Sequence, residues 1–213
     1  PMRRIVTTHD KDGKAVALVD AIVPPDPKPD ATSWHMWVTD SSPCKSSGTK
    51  DFAEKHEFHP PNNGTQFRIV EFKPTGDVTH LDPQFIIKFF GLQKLAKRAK
   101  PVRHPLMHRS SSVDYAIVLS GECDMLLDDA EYHVGPGDVI IQQATNHAWV
   151  NRTDKPCRIA FILMDGADPL APKAKPAKAK KKAKKASKAK VKKRAKKKAG
   201  IPPLKRRVLR HLK

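Results

Sequence analysis

Apolar residues along the chain fall into short runs of period two, broken by turn residues. Residues 3–8 and 15–23 read as two strands separated by the turn-forming Asp10-Lys11-Asp12-Gly13. Residues 24–64 lose this rhythm and are rich in Pro, Asp, Ser and Gly, so they read as loop with one strand at 34–38. A loop of that length in a compact domain suits a lid or an arm. At 66–72 the alternation returns. Phe67, Ile69 and Glu71 point one way, and Arg68, Val70 and Phe72 the other, as in a half-buried strand. Asp82-Pro83 has the form of a helix start, with Phe85, Ile86, Phe89 and Phe90 at helical spacing and basic residues toward Pro101. From residue 107 the pattern becomes dense β structure. Short apolar runs at 115–119, 123–127, 131–134, 139–142, 147–151 and 157–164 are separated by Ser-Gly, Asp-Asp, Gly-Pro-Gly-Asp and Thr-Asp turns. This spacing predicts an all-β domain, an antiparallel sandwich or barrel, with one short helix.

Charge divides the chain in two. Of 41 Lys and Arg residues, 21 lie in 171–213, a stretch without Asp or Glu; the first 170 residues carry a net charge of −2. A near-neutral body with a polycationic tail is expected, and a uniformly basic nucleic-acid-binding domain is excluded. The organisation predicted is N-terminal strands and an arm over 1–64, a barrel over 65–168 and a disordered basic tail over 169–213. No apolar run approaches the roughly 18–20 residues of a membrane span, and no secretory signal is expected at the start. Cys44, Cys123 and Cys157 form neither a metal-type pair nor a disulfide framework, which points to a reducing, intracellular setting, cytoplasmic or nucleoid-associated, or nuclear in a eukaryote.

Two segments carry candidate chemistry. The first runs Met107-His-Arg-Ser-Ser-Ser-Val-Asp114-Tyr115 to Gly121-Glu122. The second runs Gly135-Pro-Gly137-Asp138 to Asn146-His147-Ala-Trp149-Val-Asn151. Their spacing resembles the two motifs of the cupins, small β-barrels of jelly-roll type that often hold a metal. Ser110 stands where the first motif has its second His, and Asp114 stands where it has Glu. A closer likeness, over about residues 3–165, is to a subgroup of single-domain cupins with H-R-[ST]-x-[ST]-x-D-Y and T-x-H-A-W-x-N motifs. Some fungal relatives of that group sit in natural-product pathways.

The resemblance implies a metal set of His108, Asp114 and His147. Two His and one carboxylate is the donor set of non-haem Fe(II) sites, and Zn(II) or Mn(II) also suits it. One divalent metal, Fe(II) in preference, is the expected cofactor. His108, Ser110 and Asp114 share parity, so one strand face can present all three. Ser110, Gln142 and Trp149 are expected to line the cavity. Alternation puts either Gln142 or Gln143 inward without choosing between them. His104 and Tyr115 are the candidates for proton transfer. On the residues alone, a metal-free barrel with two hydrogen-bonded core histidines stays open. The expected activity is metal-dependent chemistry on a small oxygenated molecule, of dioxygenase, decarboxylase or dehydratase type. The alternative is a non-enzymatic ligand-binding cupin. The resemblance also implies a homodimer.

The tail is built from Ala, Lys and Pro, and resembles those of linker histones. Lys180, Lys181, Lys182, Lys184, Lys185, Lys192, Lys193, Arg194, Lys196, Lys197 and Lys198 form its densest part. Self-repulsion predicts disorder in isolation. Association with nucleic-acid phosphates without sequence preference is expected, since no aromatic residue is interleaved to stack on bases.

Overall fold

The structure, a computed structural model, describes residues 1–28, 30–45, 51–53, 58–76, 82 and 103–171. The helix expected after Asp82, and the basic tail beyond residue 171, lie outside the described residues. Among the described residues there are eleven strands and no helix. None of their elements is a helix long and apolar enough to cross a membrane. Pro1–Ala171 forms one compact unit.

The strands are β1 (Met2–His9), β2 (Ala15–Val23), β3 (Asp26–Pro27), β4 (Ala31–Thr39), β5 (Thr65–Phe72) and β6 (Val113–Ser120). They continue with β7 (Cys123–Leu126), β8 (Glu131–Val134), β9 (Val139–Gln143), β10 (Ala148–Val150) and β11 (Cys157–Met164). A six-stranded sheet has the order β3-β4-β5-β11-β6-β9, a three-stranded sheet the order β10-β7-β8, and β1-β2 is a separate ribbon. Every pairing is antiparallel. Side chains of both larger sheets meet in one core: Val70, Ala116, Val118, Ile159, Phe161 and Leu163 from one, Met125, Val134 and Trp149 from the other. The expected all-β barrel or sandwich is the observed architecture.

Local sequence explains the layout. β11 is apolar almost throughout because it lies between β5 and β6 and is buried along most of its length. β6 alternates: Asp114, Ala116 and Val118 are buried, while Tyr115 and Leu119 are exposed. Gly137, at φ +94°, closes the turn in which the Gly135 amide donates to Asp138 Oδ2 at 2.9 Å. Gly121 has φ +70°, and a Cβ there would lie 2.2 Å from the Pro156 carbonyl oxygen. All three cysteines are free, Cys123 and Cys157 being buried in the core and Cys44 exposed.

One expectation needs correction. The strand anticipated at 34–38 is longer, Ala31–Thr39, and is an integral member of the large sheet. Its β-branched and aromatic residues pair with β5 across a bulge between His35 and Trp37, which the Pro- and Ser-rich surroundings hid. The β1-β2 ribbon is tied down by Arg4, whose guanidinium donates to the Met36 carbonyl at 2.8 Å and forms an ion pair with Asp51. A groove of about 610 Å³ lies along the ribbon, walled by Val6, Leu18, Trp37, Phe52, Phe67 and Ile69 among others. None of its lining residues belongs to the two histidine-bearing segments.

Candidate functional site

The two histidines of the sequence motifs are brought together by the backbone. His108 and His147 form an isolated antiparallel bridge in which each amide donates to the other's carbonyl at 2.9 Å. Their ring centroids are 4.5 Å apart. Each ring is fixed by the same device: His108 Nδ1–H donates to the Leu106 carbonyl at 2.9 Å, and His147 Nδ1–H to the Thr145 carbonyl at 3.0 Å. A carbonyl only accepts, so Nδ1 carries the proton in both rings and Nε2 carries the lone pair. Burial pushes the His108 pKa down to about 3, with the neighbouring His147 adding to the effect, and burial lowers that of His147 to about 4. Both rings are neutral at physiological pH. Two neutral imidazoles, each with Nδ1 anchored on a carbonyl, suit metal ligation through Nε2.

Asp114 lies on the interior face of β6. It sits in a cross-strand row with Gln66 of β5, Leu163 of β11 and Gln142 of β9. All four side chains are buried. Burial raises the Asp114 pKa above the usual carboxylate value, opposed by a Ser112 hydrogen bond and by the field of Arg68. Its Oδ1 is buried without a hydrogen-bond partner, as are both amide atoms of Gln142 and the Nε1 of Trp149. Ser110 is buried and its hydroxyl is 2.7 Å from that of Ser112. Ser110, Ser112 and Asp114 are buried on alternate residues, but His108 is half-buried between the buried Met107 and Arg109, and β6 begins only at Val113. Gln142 faces in and Gln143 is exposed, which resolves the pair.

Trp149 is buried with its ring centroid 6.5 Å from that of His147, 5.5 Å from Phe161 and 6.2 Å from Phe72. It is a wall between the histidine pair and the apolar core. The rest of the second motif is architectural. Asn151 is fully buried; its Nδ2 donates to the Phe72 and Lys155 carbonyls at 3.1 and 2.7 Å, and its Oδ1 accepts from the Thr153 amide and hydroxyl at 2.9 and 2.7 Å.

Other expectations are not met. Tyr115 is 41 % exposed and lies on the outward face of β6, opposite Ile141 and Ile162. Its odd position in the strand turns it away from Asp114, so it cannot serve an interior site. His104 caps its own turn, its Nδ1 accepting from the Leu106 amide at 3.2 Å. Burial lowers its pKa, and the charges it feels are those of Arg103, Glu131 and Arg152. It belongs to that charged rim. Among the described residues no three His, Cys, Asp or Glu side chains are gathered as a ligand set. The structure therefore assembles the histidine pair of the expected set and leaves Asp114 apart from it.

Sequence reasoning missed Phe58 and Arg68. The Phe58 ring meets His108 edge-on at 6.0 Å, and the Arg68 guanidinium lies over that ring at 4.5 Å. Arg68 shares its strand face with Val70 and Phe72, and that shared parity was the available signal. Arg109 was also missed: it is buried and paired with Asp168 at 2.8 Å, which anchors the end of the domain.

Residues 91–163 match the Cupin domain family. The likeness to that family is confined to this segment, about a third of the chain. The chain is 29 % identical over 174 residues to the phomopsin biosynthesis cluster protein C' of Diaporthe leptostromiformis, an alignment covering 76 % of this chain and 77 % of that protein. It is 29 % identical over 172 residues to the cupin-domain-containing oxidoreductase fogC of Aspergillus ruber, covering 78 % and 73 %. The corresponding oxidoreductase virC of Hypocrea virens is also 29 % identical, over 181 residues, with 76 % and 75 % covered.

Proposed function

We propose that this cupin is an enzyme that transforms a small oxygenated organic molecule at a divalent metal held by His108 and His147. The observation that carries the reading is the histidine pair: two neutral rings side by side, His147 buried and His108 half-buried, with the proton of each placed on Nδ1 by a backbone carbonyl. The similarity to fungal cupin-domain oxidoreductases supports an enzymatic role, and two imidazoles suit Fe(II) and Zn(II) alike. When bound, a divalent metal supplies Lewis acidity toward an oxygen of the substrate.

The chain's own residues do the rest. The backbone bridge fixes the spacing of the two rings, and the Leu106 and Thr145 carbonyls fix their tautomer. Trp149, Phe72 and Phe161 supply apolar walls that exclude water and strengthen electrostatic contacts inside. Asp114, with its pKa raised above the usual carboxylate value by burial and one oxygen buried without a partner among the described residues, is the interior carboxyl placed to take up and release a proton. It replaces Tyr115 and His104 in that role.

Metal analysis by mass spectrometry on the full chain tests this. About one Fe, Mn or Zn per chain, lost in both His108→Ala and His147→Ala, is the expected result. Metal-replete protein with none bound would end the reading, and bound iron would direct an oxygen-uptake screen. The tail is proposed to associate with nucleic acid through phosphate neutralisation. If about ten of its charges take part, log affinity falls with log salt at a slope near −9. A full-length chain that fails to shift DNA at low salt removes that proposal.

A further inference from the structure

We propose that Arg68 is the specificity-determining residue of the barrel interior, and that the molecule bound there is an organic carboxylate with an aromatic or apolar body. The inference rests on reading that interior as a substrate site, and deepens it.

Arg68 comes from β5 and stands in a cross-strand row with Phe161, Ala116 and Ile140, next to the row of Gln66, Asp114 and Gln142. Its protein contacts do not neutralise it. One guanidinium nitrogen, Nη1, donates to the Phe58 carbonyl at 3.4 Å, a long bond, and the group lies 4.5 Å over the Phe58 ring. Its Nε is buried and has no hydrogen-bond partner. Among the described residues no carboxylate forms an ion pair with it. Asp114 acts on it only through the field. Burial lowers the Arg68 pKa to about 10, so it remains a cation at neutral pH.

Arg68 is half-buried with its Nε fully covered, and a cation partly removed from water without a counter-ion carries a cost that an anion relieves. A carboxylate suits the guanidinium in particular, because its Nε–H is buried with no acceptor among the described residues. A planar guanidinium matches a carboxylate with two parallel hydrogen bonds. The body of such a ligand would meet Phe58, Phe72, Phe161 and Trp149, four rings that favour an aromatic or apolar partner. Asp114 works against the anion while ionised, so the occupant is singly charged in preference to doubly charged.

Calorimetric titration of the EDTA-treated full chain with benzoate and with its neutral isostere benzamide tests the proposal. A salt concentration of about 0.5 M screens the exposed lysines far more than a buried site. Benzoate should bind about tenfold more tightly than benzamide. Arg68→Met should bring the two ligands within about twofold, and Arg68→Lys should retain part of the preference. Asp114→Asn should tighten benzoate about threefold by removing a like charge, and it carries the test if Arg68→Met does not fold. Equal binding of both ligands by the wild type overturns the proposal. So does a preference that survives in Arg68→Met, or benzoate affinity that is unchanged or weaker in Asp114→Asn. Since the titration is made without metal, its failure is distinct from failure of the metal reading, which is scored by metal content alone.

Discussion

Two rows of side chains on the same face of the large sheet share the strands β5, β11 and β6, the second reaching β9 as well, and differ in kind. In one, Val70, Ile159 and Val118 lie side by side and join the apolar core. In the other, Gln66, Leu163, Asp114 and Gln142 are equally buried but mostly polar. Between them lies Arg68 beside Phe161 and Ala116. The first row removes apolar surface from water, worth about 25 cal/mol per Å². The second leaves Asp114 Oδ1 and the Gln142 amide without partners in the protein. Each such group costs roughly 1–3 kcal/mol. A chain selected for stability alone would fill those positions with Leu or Val. The contrast marks the polar row as the part of the sheet whose composition stability alone does not explain.

The contrast can be broken experimentally. Ile159→Ala, at a fully buried core position, should cost about 2–5 kcal/mol, read as a lowered denaturant midpoint. A loss below about 1 kcal/mol would mean that the apolar row does not anchor the sheet. Asn151→Ala removes four hydrogen bonds from a fully buried side chain. It should cost about 2–4 kcal/mol while leaving metal content unchanged. Metal lost from a folded Asn151→Ala protein would show that Asn151 positions the site.

Acid should act mainly through the histidine pair. Both rings are protonated more readily unfolded, near pH 6.5, than folded, at about 3 and about 4. The unfolded chain therefore binds more protons below pH 6.5, and stability rises with pH there. In EDTA-treated protein, stability should fall as pH drops from about 6.5 toward 4, by up to about 1.4 kcal/mol per pH unit for each ring. Asp114, whose pKa is raised on folding, opposes this slope at the acid end. His108→Gln should flatten the profile, and an unaltered slope would place the acid sensitivity elsewhere. The smallest effect has the opposite sign. Gln142→Leu removes two unpartnered polar atoms, so it should be neutral or stabilising by about 1 kcal/mol while weakening ligand binding. A loss as large as that of Ile159→Ala would erase the distinction between the rows.

Most of the fold was legible because strand alternation is a local property. The runs at 131–134 and 157–164 are the observed β8 and β11, and that at 115–119 lies within the observed Val113–Ser120. The inward position of Asp114 on β6 was legible for the same reason. Parity also excluded Tyr115, one residue out of step with Asp114. The role of Arg68 was not legible. Alternation set it opposite Phe67 and Ile69, and both faces of that strand carry apolar residues, so the pattern did not say which face the core would cover.

The sequence by itself determined the β pattern, the two histidine-bearing motifs and the separation of a neutral body from a basic tail, because these depend on residue type and spacing along one chain. Only the tertiary structure decided that His108 and His147 share a backbone bridge while Asp114 stands apart. It alone turned Gln142 rather than Gln143 inward, and left Arg68 with no carboxylate partner among the described residues. Those outcomes depend on which strands become neighbours and which face of the sheet the second layer covers. They follow from pairing between segments far apart in the chain, and no local pattern encodes that.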